Sequence, residues 1–276
     1  MKELRLSKGQ ALGNDYLVAD AADVGTPSAA LVRGLCDRHF GLGSDGLLVG
    51  RLDAEPIELR IYNPDGSAAE KSGNGLRIFG AWLYRRDRVE RAPFPVALPK
   101  DTVSMQVLAE HDDGSVDITV AMGRASFQGA DVGFTPEAGY ALGQTLDLGG
   151  GLQAIVNPVS TGNPHCVVFV DALERDDFLA RAPRLATHPA FAHGANVQLA
   201  RVAGPDRLEA WIWERGVGET LASGSSASAV AAAAVRLGLV QERRLTIAMQ
   251  GGEVGVVVGE DFSIQLNGPA QVVFEA

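Results

Sequence analysis

Apolar and polar positions alternate with a period of two in several short runs of the chain. Ile57, Leu59 and Ile61 alternate with Glu58, Arg60 and Tyr62. Val116, Ile118, Val120 and Met122 alternate with Asp117, Thr119 and Ala121, and Leu208, Ala210 and Ile212 with Glu209, Trp211 and Trp213. Successive side chains of a strand point to opposite faces, so each run predicts a strand with one buried face. Residues 165–170 and 252–258 are more continuously apolar and predict more fully buried strands. Helical signals are fewer. Leu76, Phe79, Gly80 and Leu83 fall on one helical face, with Arg85 and Arg86 at the end where positive charge suits the dipole. Residues 226–237 predict a second helix with Gly238 as its C-cap. Residues 27–39 are a third candidate.

Sheet predominates and few strands alternate regularly with helices, which predicts an α+β chain rather than a doubly wound one. At 276 residues it fits one large domain or two medium ones. The glycine-rich stretch 125–151 is the expected place for a domain crossing. A hydrophobic fraction of 46% with 21% charged residues supplies a core and argues against disorder. A net charge of −10 repels phosphate backbones, so nucleic acid is not expected as a partner. No window approaches 18 uncharged apolar residues, so no membrane span is expected. The N-terminal residues lack the apolar core of a signal peptide. Together with two cysteines, Cys36 and Cys166, that form no disulfide framework, this predicts a reducing cytoplasm. Each cysteine is read as a small buried hydrophobe.

Two segments resemble each other. Glu70-Lys71-Ser72-Gly73-Asn74-Gly75 leads into the first helix and Leu221-Ala222-Ser223-Gly224-Ser225-Ser226 into the second. A strand-like run ends shortly before each, and the two serines are 151 positions apart, about half the chain. This predicts a duplicated domain. If the halves face each other, both helix starts, with their unpaired N–H groups, serve one anion such as a carboxylate. Serine is also a favoured N-cap, so each start has a purely structural reading.

Small polar clusters surround these segments: Gly13-Asn14-Asp15, Asn63-Pro64-Asp65-Gly66-Ser67, Thr161-Gly162-Asn163-Pro164-His165, Ala195-Asn196, and the run from Glu214 and Arg215 through Gly216, Val217, Gly218 and Glu219 to Thr220. Asparagines carry donors and acceptors and suit an ammonium and a carboxylate at once. Arg215 suits a carboxylate bidentately. Gly41-Leu42-Gly43-Ser44-Asp45-Gly46 matches G-x-G-x-x-G, but a helix-like stretch precedes it and a strand follows, the inverse of a dinucleotide site. Neither serine lies in a G-x-S-x-G elbow. The five histidines lack metal-ligand spacing. Of four lysines only Lys71 sits in a site-like context for a pyridoxal Schiff base.

In order along the chain, these motifs resemble the diaminopimelate epimerase family. Leu12-Gly13-Asn14-Asp15-Tyr16 is similar to its opening G-N-D-F element. Residues 38–46 are similar to R-x-x-G-x-G-x-D-G. Asn63-Pro64-Asp65-Gly66-Ser67 followed by Ser72-Gly73-Asn74-Gly75-Leu76-Arg77 is similar to N-x-D-G-S…C-G-N-G-x-R. Gly162-Asn163-Pro164-His165 is similar to G-N-P-H, and residues 214–225 to E-R-G-x-G-E-T-x-A-C-G-[ST]. The resemblance implies two pseudo-symmetric domains, 1–122 with 268–276 returning to it and 123–267, each a mostly antiparallel sheet around a central helix. It implies an isomerase that interconverts LL- and meso-diaminopimelate in lysine and peptidoglycan biosynthesis, as a homodimer, with no cofactor and no metal. In the family two cysteines flank the substrate α-carbon, and Ser72 and Ser223 stand at those positions. His165 and Glu214 match residues that support catalysis. Asn14, Asn63, Asn163, Asn196, Glu214 and Arg215 match substrate contacts, and Gly73-Asn74 and Gly224-Ser225 match the loops that cap the substrate's charged groups. A serine hydroxyl is a far weaker acid than a thiol, so three readings stand: an epimerase with crippled chemistry, a serine-dependent racemase, epimerase or dehydratase of another amino acid, and a non-catalytic amino-acid-binding protein.

Overall fold

In the computed structural model, which describes residues 4–135 and 141–275, the chain divides into two compact units. One comprises Met1–Ala121 with Asn267–Ala276, the other Met122–Leu266.

In the first unit, Ser7–Ala11 and Asn14–Asp20 form an antiparallel hairpin, turned at Leu12 and Gly13 with positive φ of 55° and 84°. Both central residues at positive φ give the turn whose twist matches that of paired strands. Asn14–Asp20 runs parallel to Leu47–Arg51, which pairs antiparallel with Ile57–Tyr62. Phe94–Ala97 lies parallel to Ile57–Tyr62, and Thr102–Glu110 and Ser115–Arg124 follow by antiparallel steps. Ser263–Glu275 pairs with both Ser7–Ala11 and Ser115–Arg124 and closes the sheet on itself.

The helix Gly73–Arg85 sits within this sheet, touching Ser7–Ala11, Asn14–Asp20, Leu47–Arg51 and Thr102–Glu110. The periodicity predicts one apolar face. Instead every residue from Gly73 to Leu83 is buried, because strands surround the helix. Its glycines permit that enclosure: a Cβ at Gly80 would lie 2.8 Å from Met105 Cε. Trp82, 1% exposed, donates its indole N–H to Ser7 Oγ at 2.9 Å and so loses no hydrogen bond on burial.

The second unit repeats this order of steps. Gln153–Ser160 is antiparallel to Pro164–Phe169, which is parallel to Asn196–Gly204. Arg207–Glu214 is antiparallel to that strand, Arg244–Met249 is parallel to Arg207–Glu214, and Gly252–Val258 is antiparallel again. The enclosed helix, Gly224–Arg236, is built from small residues where it is fully buried, mostly alanine with Ser226, Ser228 and Val230. The outer helices correspond too: Ala29–Cys36 connects the parallel pair in the first unit and Arg175–Ala186 in the second. Both units are therefore α+β, mostly antiparallel, and built around a central helix.

Three readings of the pattern are corrected. Gly252–Val258 is half-buried: Val254, Val256 and Val258 point inward and the residues between them stay partly exposed. The chain changes unit within the strands Ser115–Arg124 and Ser263–Glu275, upstream and downstream of the stretch 125–151. Several of the described glycines of that stretch serve turns. Gly133 ends a short helix in the left-handed conformation, and Gly149, Gly150 and Gly151 all have positive φ in the connection to Gln153–Ser160. Residues 136–140 lie outside the described residues. The third helix is shorter than 27–39, running Ala29–Cys36 with Ser28 as its cap.

Candidate active site

Ser72 is the N-cap of Gly73–Arg85, with extended backbone and its Oγ accepting from the Gly75 N–H at 3.0 Å. The phenol of Tyr16 also donates to this oxygen, at 3.4 Å. Ser223 is the N-cap of Gly224–Arg236, but its side chain makes no cap hydrogen bond. It meets Ser225 Oγ at 3.4 Å. The caps therefore differ in worth. We expect Ser72→Ala to cost about 1 kcal/mol, the usual value of a lost serine cap, and Ser223→Ala distinctly less. Urea unfolding of the two variants checks the order.

Beside Ser72 lies a chain of hydrogen bonds with a fixed direction. Arg77 Nη2 donates to Asn74 Oδ1 at 2.8 Å, Asn74 Nδ2 to Asn14 Oδ1 at 3.0 Å, and Asn14 Nδ2 to Asp45 Oδ2 at 2.7 Å. A guanidinium can only donate and a carboxylate can only accept, so the two ends set the orientation of both amides between them. Arg77 is fully buried, and burial draws its pKa down to about 10 against the opposing pull of Asp117. Among the described residues its Nε and Nη1 have no hydrogen-bond partner. Asp45 also bonds Arg38, which reaches Asp15, and Asp15 pairs with Lys8 at 2.8 Å. Burial works to raise the Asp15 carboxyl, but the bonds from Arg38 and Lys8 overcome it and hold Asp15 below the ordinary carboxylate range. Asn63 stands apart from this chain. It closes its own turn, with Nδ2 on Ser67 Oγ at 2.9 Å.

In the second unit Asn163, His165, Asn196 and Arg215 come together. His165 and Asn196 are opposite each other on parallel strands. Asn196 Nδ2 donates to the Pro164 carbonyl at 3.2 Å, and its Oδ1 accepts the Arg215 N–H at 2.9 Å. Arg215 donates from Nη1 to the His193 carbonyl at 2.8 Å, and its side chain is exposed. His165 is 0% exposed. Gln198 Nε2 meets its Nδ1 at 3.0 Å, and Asn163 Oδ1 meets its Nε2 at 2.9 Å. With an amide donor on one side and an amide oxygen on the other, the ring is neutral and carries its proton on Nε2. Burial holds its pKa at about 3, with the charge of Arg215 adding to the effect. Both ring nitrogens are thus committed within the cluster. The connection to the helix start runs through Gln198, which also donates to Ser226 Oγ at 2.9 Å. Glu214 ends the strand Arg207–Glu214, half-buried, and its carbonyl accepts from Val217 in the turn that follows. Gly224 accepts at its carbonyl from Ser228 Oγ at 2.8 Å.

Tyr16, Asp45 and Gln198 were not singled out by the sequence reading. Tyr16 and Asp45 are marked only as members of longer motifs. Gln198 carries one local sign, a long polar side chain inside the run Val197-Gln198-Leu199-Ala200, where its neighbours are buried on both faces.

The architecture is that of known racemases, epimerases and their fold relatives. A hydroxyproline epimerase from Agrobacterium vitis, solved with trans-4-hydroxy-L-proline, aligns over 99% of this chain and 91% of its own at a TM-score of 0.68 and 15% identity. A phenazine biosynthesis protein of the PhzF family from Bacillus anthracis aligns over 100% and 99% at a TM-score of 0.71 and 17% identity. At these identities the likeness defines the fold. The sequence goes further. The profile described as diaminopimelate epimerase matches residues 6–128 and 158–273. Diaminopimelate epimerase 2 of Nostoc sp. is 36% identical over 266 residues, covering 95% of this chain and 91% of that protein. The diaminopimelate epimerase of Pelotomaculum thermopropionicum is 35% identical over 276 residues, covering 98% and 97%. The chain belongs to the diaminopimelate epimerase family, and it is an enzyme of the amino-acid racemase and epimerase class.

Proposed function

We propose that the protein interconverts LL- and meso-diaminopimelate, with Ser72 and Ser223 exchanging the α-proton on opposite faces of one carbon. The observation that carries this reading is the repeated topology: each unit encloses one helix, and each of those helices opens at one of these serines. Family membership supplies the substrate. The N–H groups at the helix starts Gly73-Asn74 and Gly224-Ser225 suit the carboxylate at the reacting carbon. Asn14, Asn63, Asn163, Asn196, Glu214 and Arg215 hold the remaining ammonium and carboxylate groups, Arg215 through its exposed guanidinium. His165, fixed neutral, orients Asn163 rather than moving protons.

The proposed reaction needs neither pyridoxal nor metal. Lys71 is paired with Asp101 at 3.4 Å, and among the described residues no three His, Cys, Asp or Glu side chains converge as metal ligands. No helix among the described residues is long and apolar enough to cross a membrane. A cytoplasmic homodimer acting in lysine and peptidoglycan precursor synthesis is the setting this reading implies.

Solvent exchange tests the proposal. Incubated with LL- or meso-diaminopimelate in deuterium oxide, the protein is expected to replace the α-proton of either isomer with deuterium, followed by NMR. Binding without exchange supports an amino-acid-holding protein instead. Neither binding nor exchange points to another substrate for the serine pair.

A further inference from the structure

Ser72 Oγ accepts two donors, the Gly75 N–H and the Tyr16 O–H. Neither bond uses the serine's own proton. The two donors face the oxygen on which negative charge develops when that proton leaves, which is how an alkoxide is stabilised. The Tyr16 ring is held in place. It stands on the hairpin strand opposite Gly9, is 8% exposed, and lies against Gly46, where a Cβ would come within 2.6 Å of Tyr16 Cε1. Ser223 meets Ser225 Oγ at 3.4 Å instead. The fold sets the hydroxyls of Tyr16 and Ser72 in contact across 56 residues of sequence.

Resting on the reading of Ser72 given above, we propose that Tyr16 is the acid–base partner of Ser72. When the Ser72 side removes a proton, the substrate C–H bond breaks and its electron pair stays on carbon. In this direction Tyr16 has first given its proton to water and the bond is reversed, so that Ser72 donates to the phenolate; Ser72 Oγ then takes the substrate proton while passing its own to Tyr16. When this side delivers a proton, Ser72 gives its hydroxyl proton to the carbanion and Tyr16 replaces it from its phenol. Atoms and charge balance without any further reactant, and the phenol re-equilibrates with water between turnovers. A phenol ordinarily titrates near 10, within reach of neutral pH, whereas an aliphatic alcohol does not. The 3.4 Å contact is long for O–H···O, as such bonds commonly are before a substrate closes on them.

The test is Tyr16→Phe made in two backgrounds, the natural chain and Ser72→Cys, with melting curves confirming that both fold. In the natural chain we expect α-deuterium exchange to fall about 100-fold, within the usual range for losing an acid–base group, and its basic pH limb to disappear. In the Ser72→Cys background, where a thiol ionises unaided, the loss should shrink to a few-fold. Equal fractional losses in both backgrounds, or an unaltered pH profile, would overturn the proposal. Absence of exchange in the natural chain itself would be a failure of the epimerase reading, and the pair is then judged by titration. With 13C-labelled tyrosine, the Tyr16 midpoint should rise by half a unit or more in Ser72→Ala, because once the phenol ionises Ser72 turns its own proton to the phenolate, and that charged bond is lost in the variant. An unmoved midpoint refutes the partnership.

Discussion

Replacing Ser72 and Ser223 together by cysteine should raise α-proton exchange on diaminopimelate by at least about a thousandfold. A thiol ordinarily titrates near 8.5 and a helix start lowers it further, so a usable fraction is thiolate at neutral pH. A serine hydroxyl is a far weaker acid, and a helix start does not bring it into that range. Each unit of mismatch in the base is worth about 1.4 kcal/mol, a factor of ten, and three units is a low count for the difference. The cost is small by comparison. Ser72→Cys gives up the cap bond to Gly75, about 1 kcal/mol of stability that does not enter the chemical step. Sulfur's longer bond and larger radius also bring the acid–base atom closer to the substrate carbon. Exchange in deuterium oxide and chiral separation of the isomers measure the gain. Either single substitution should favour one starting isomer over the other, because each residue serves one face. A double variant no faster than the natural chain would mean that the site is shaped for a different amino acid.

The strands that point at the helix starts were legible because their periodicity is local. Ile57–Tyr62 is the predicted run residue for residue, and residues 208–213 lie inside Arg207–Glu214. The helix read at 226–237 begins two residues earlier, at Gly224, because its opening residues are glycine and serine and carry no apolar signal. What was not legible depends on strand order. Ile57–Tyr62 predicts one buried face and has it. The strand Arg207–Glu214 covers both of its faces, since Trp211 and Trp213 turn outward and meet Phe178 of the helix Arg175–Ala186. The contact of Tyr16 with Ser72 and the relay from Arg77 to Asp45 join residues that the sequence separates by tens of positions. They exist only because Asn14–Asp20, the loop before Leu47–Arg51 and the enclosed helix are brought side by side. The identities of Asn14 and Asn74 were apparent in the motifs, but the direction of their hydrogen bonds required knowing which neighbours can only donate and which can only accept.

Acid should destabilise the second unit steeply, and His165 sets the size of the effect. Its ring is fully buried and its pKa is depressed from the ordinary 6.5 to about 3, burial being the main cause, the charge of Arg215 adding to it and the bond with Gln198 working the other way. That opposition has a structural meaning. As oriented, Gln198 donates to Nδ1 and favours the neutral ring, but a flip of its amide would present an oxygen to a protonated one. Folded and unfolded forms take up this proton at different pH. Above about 6.5 both are neutral and the native state keeps its full stability. As pH falls from there toward 3, the unfolded chain is protonated first, and stability drains at up to about 1.4 kcal/mol per unit, to a total of about 5 kcal/mol. Whole domains are stable by about 5–15 kcal/mol, so this one ring can decide acid unfolding. Urea midpoints of the natural chain and of His165→Gln, compared between about pH 7 and pH 4, isolate it, because carboxylates held low, such as Asp15, contribute equally to both. The natural chain should lose about 3 kcal/mol more than the variant over that range. Parallel slopes would show that water or a turned Gln198 already accommodates the charged ring. A fixed neutral His165 would then no longer account for how Asn163 is held, and the histidine would return as a candidate for moving protons.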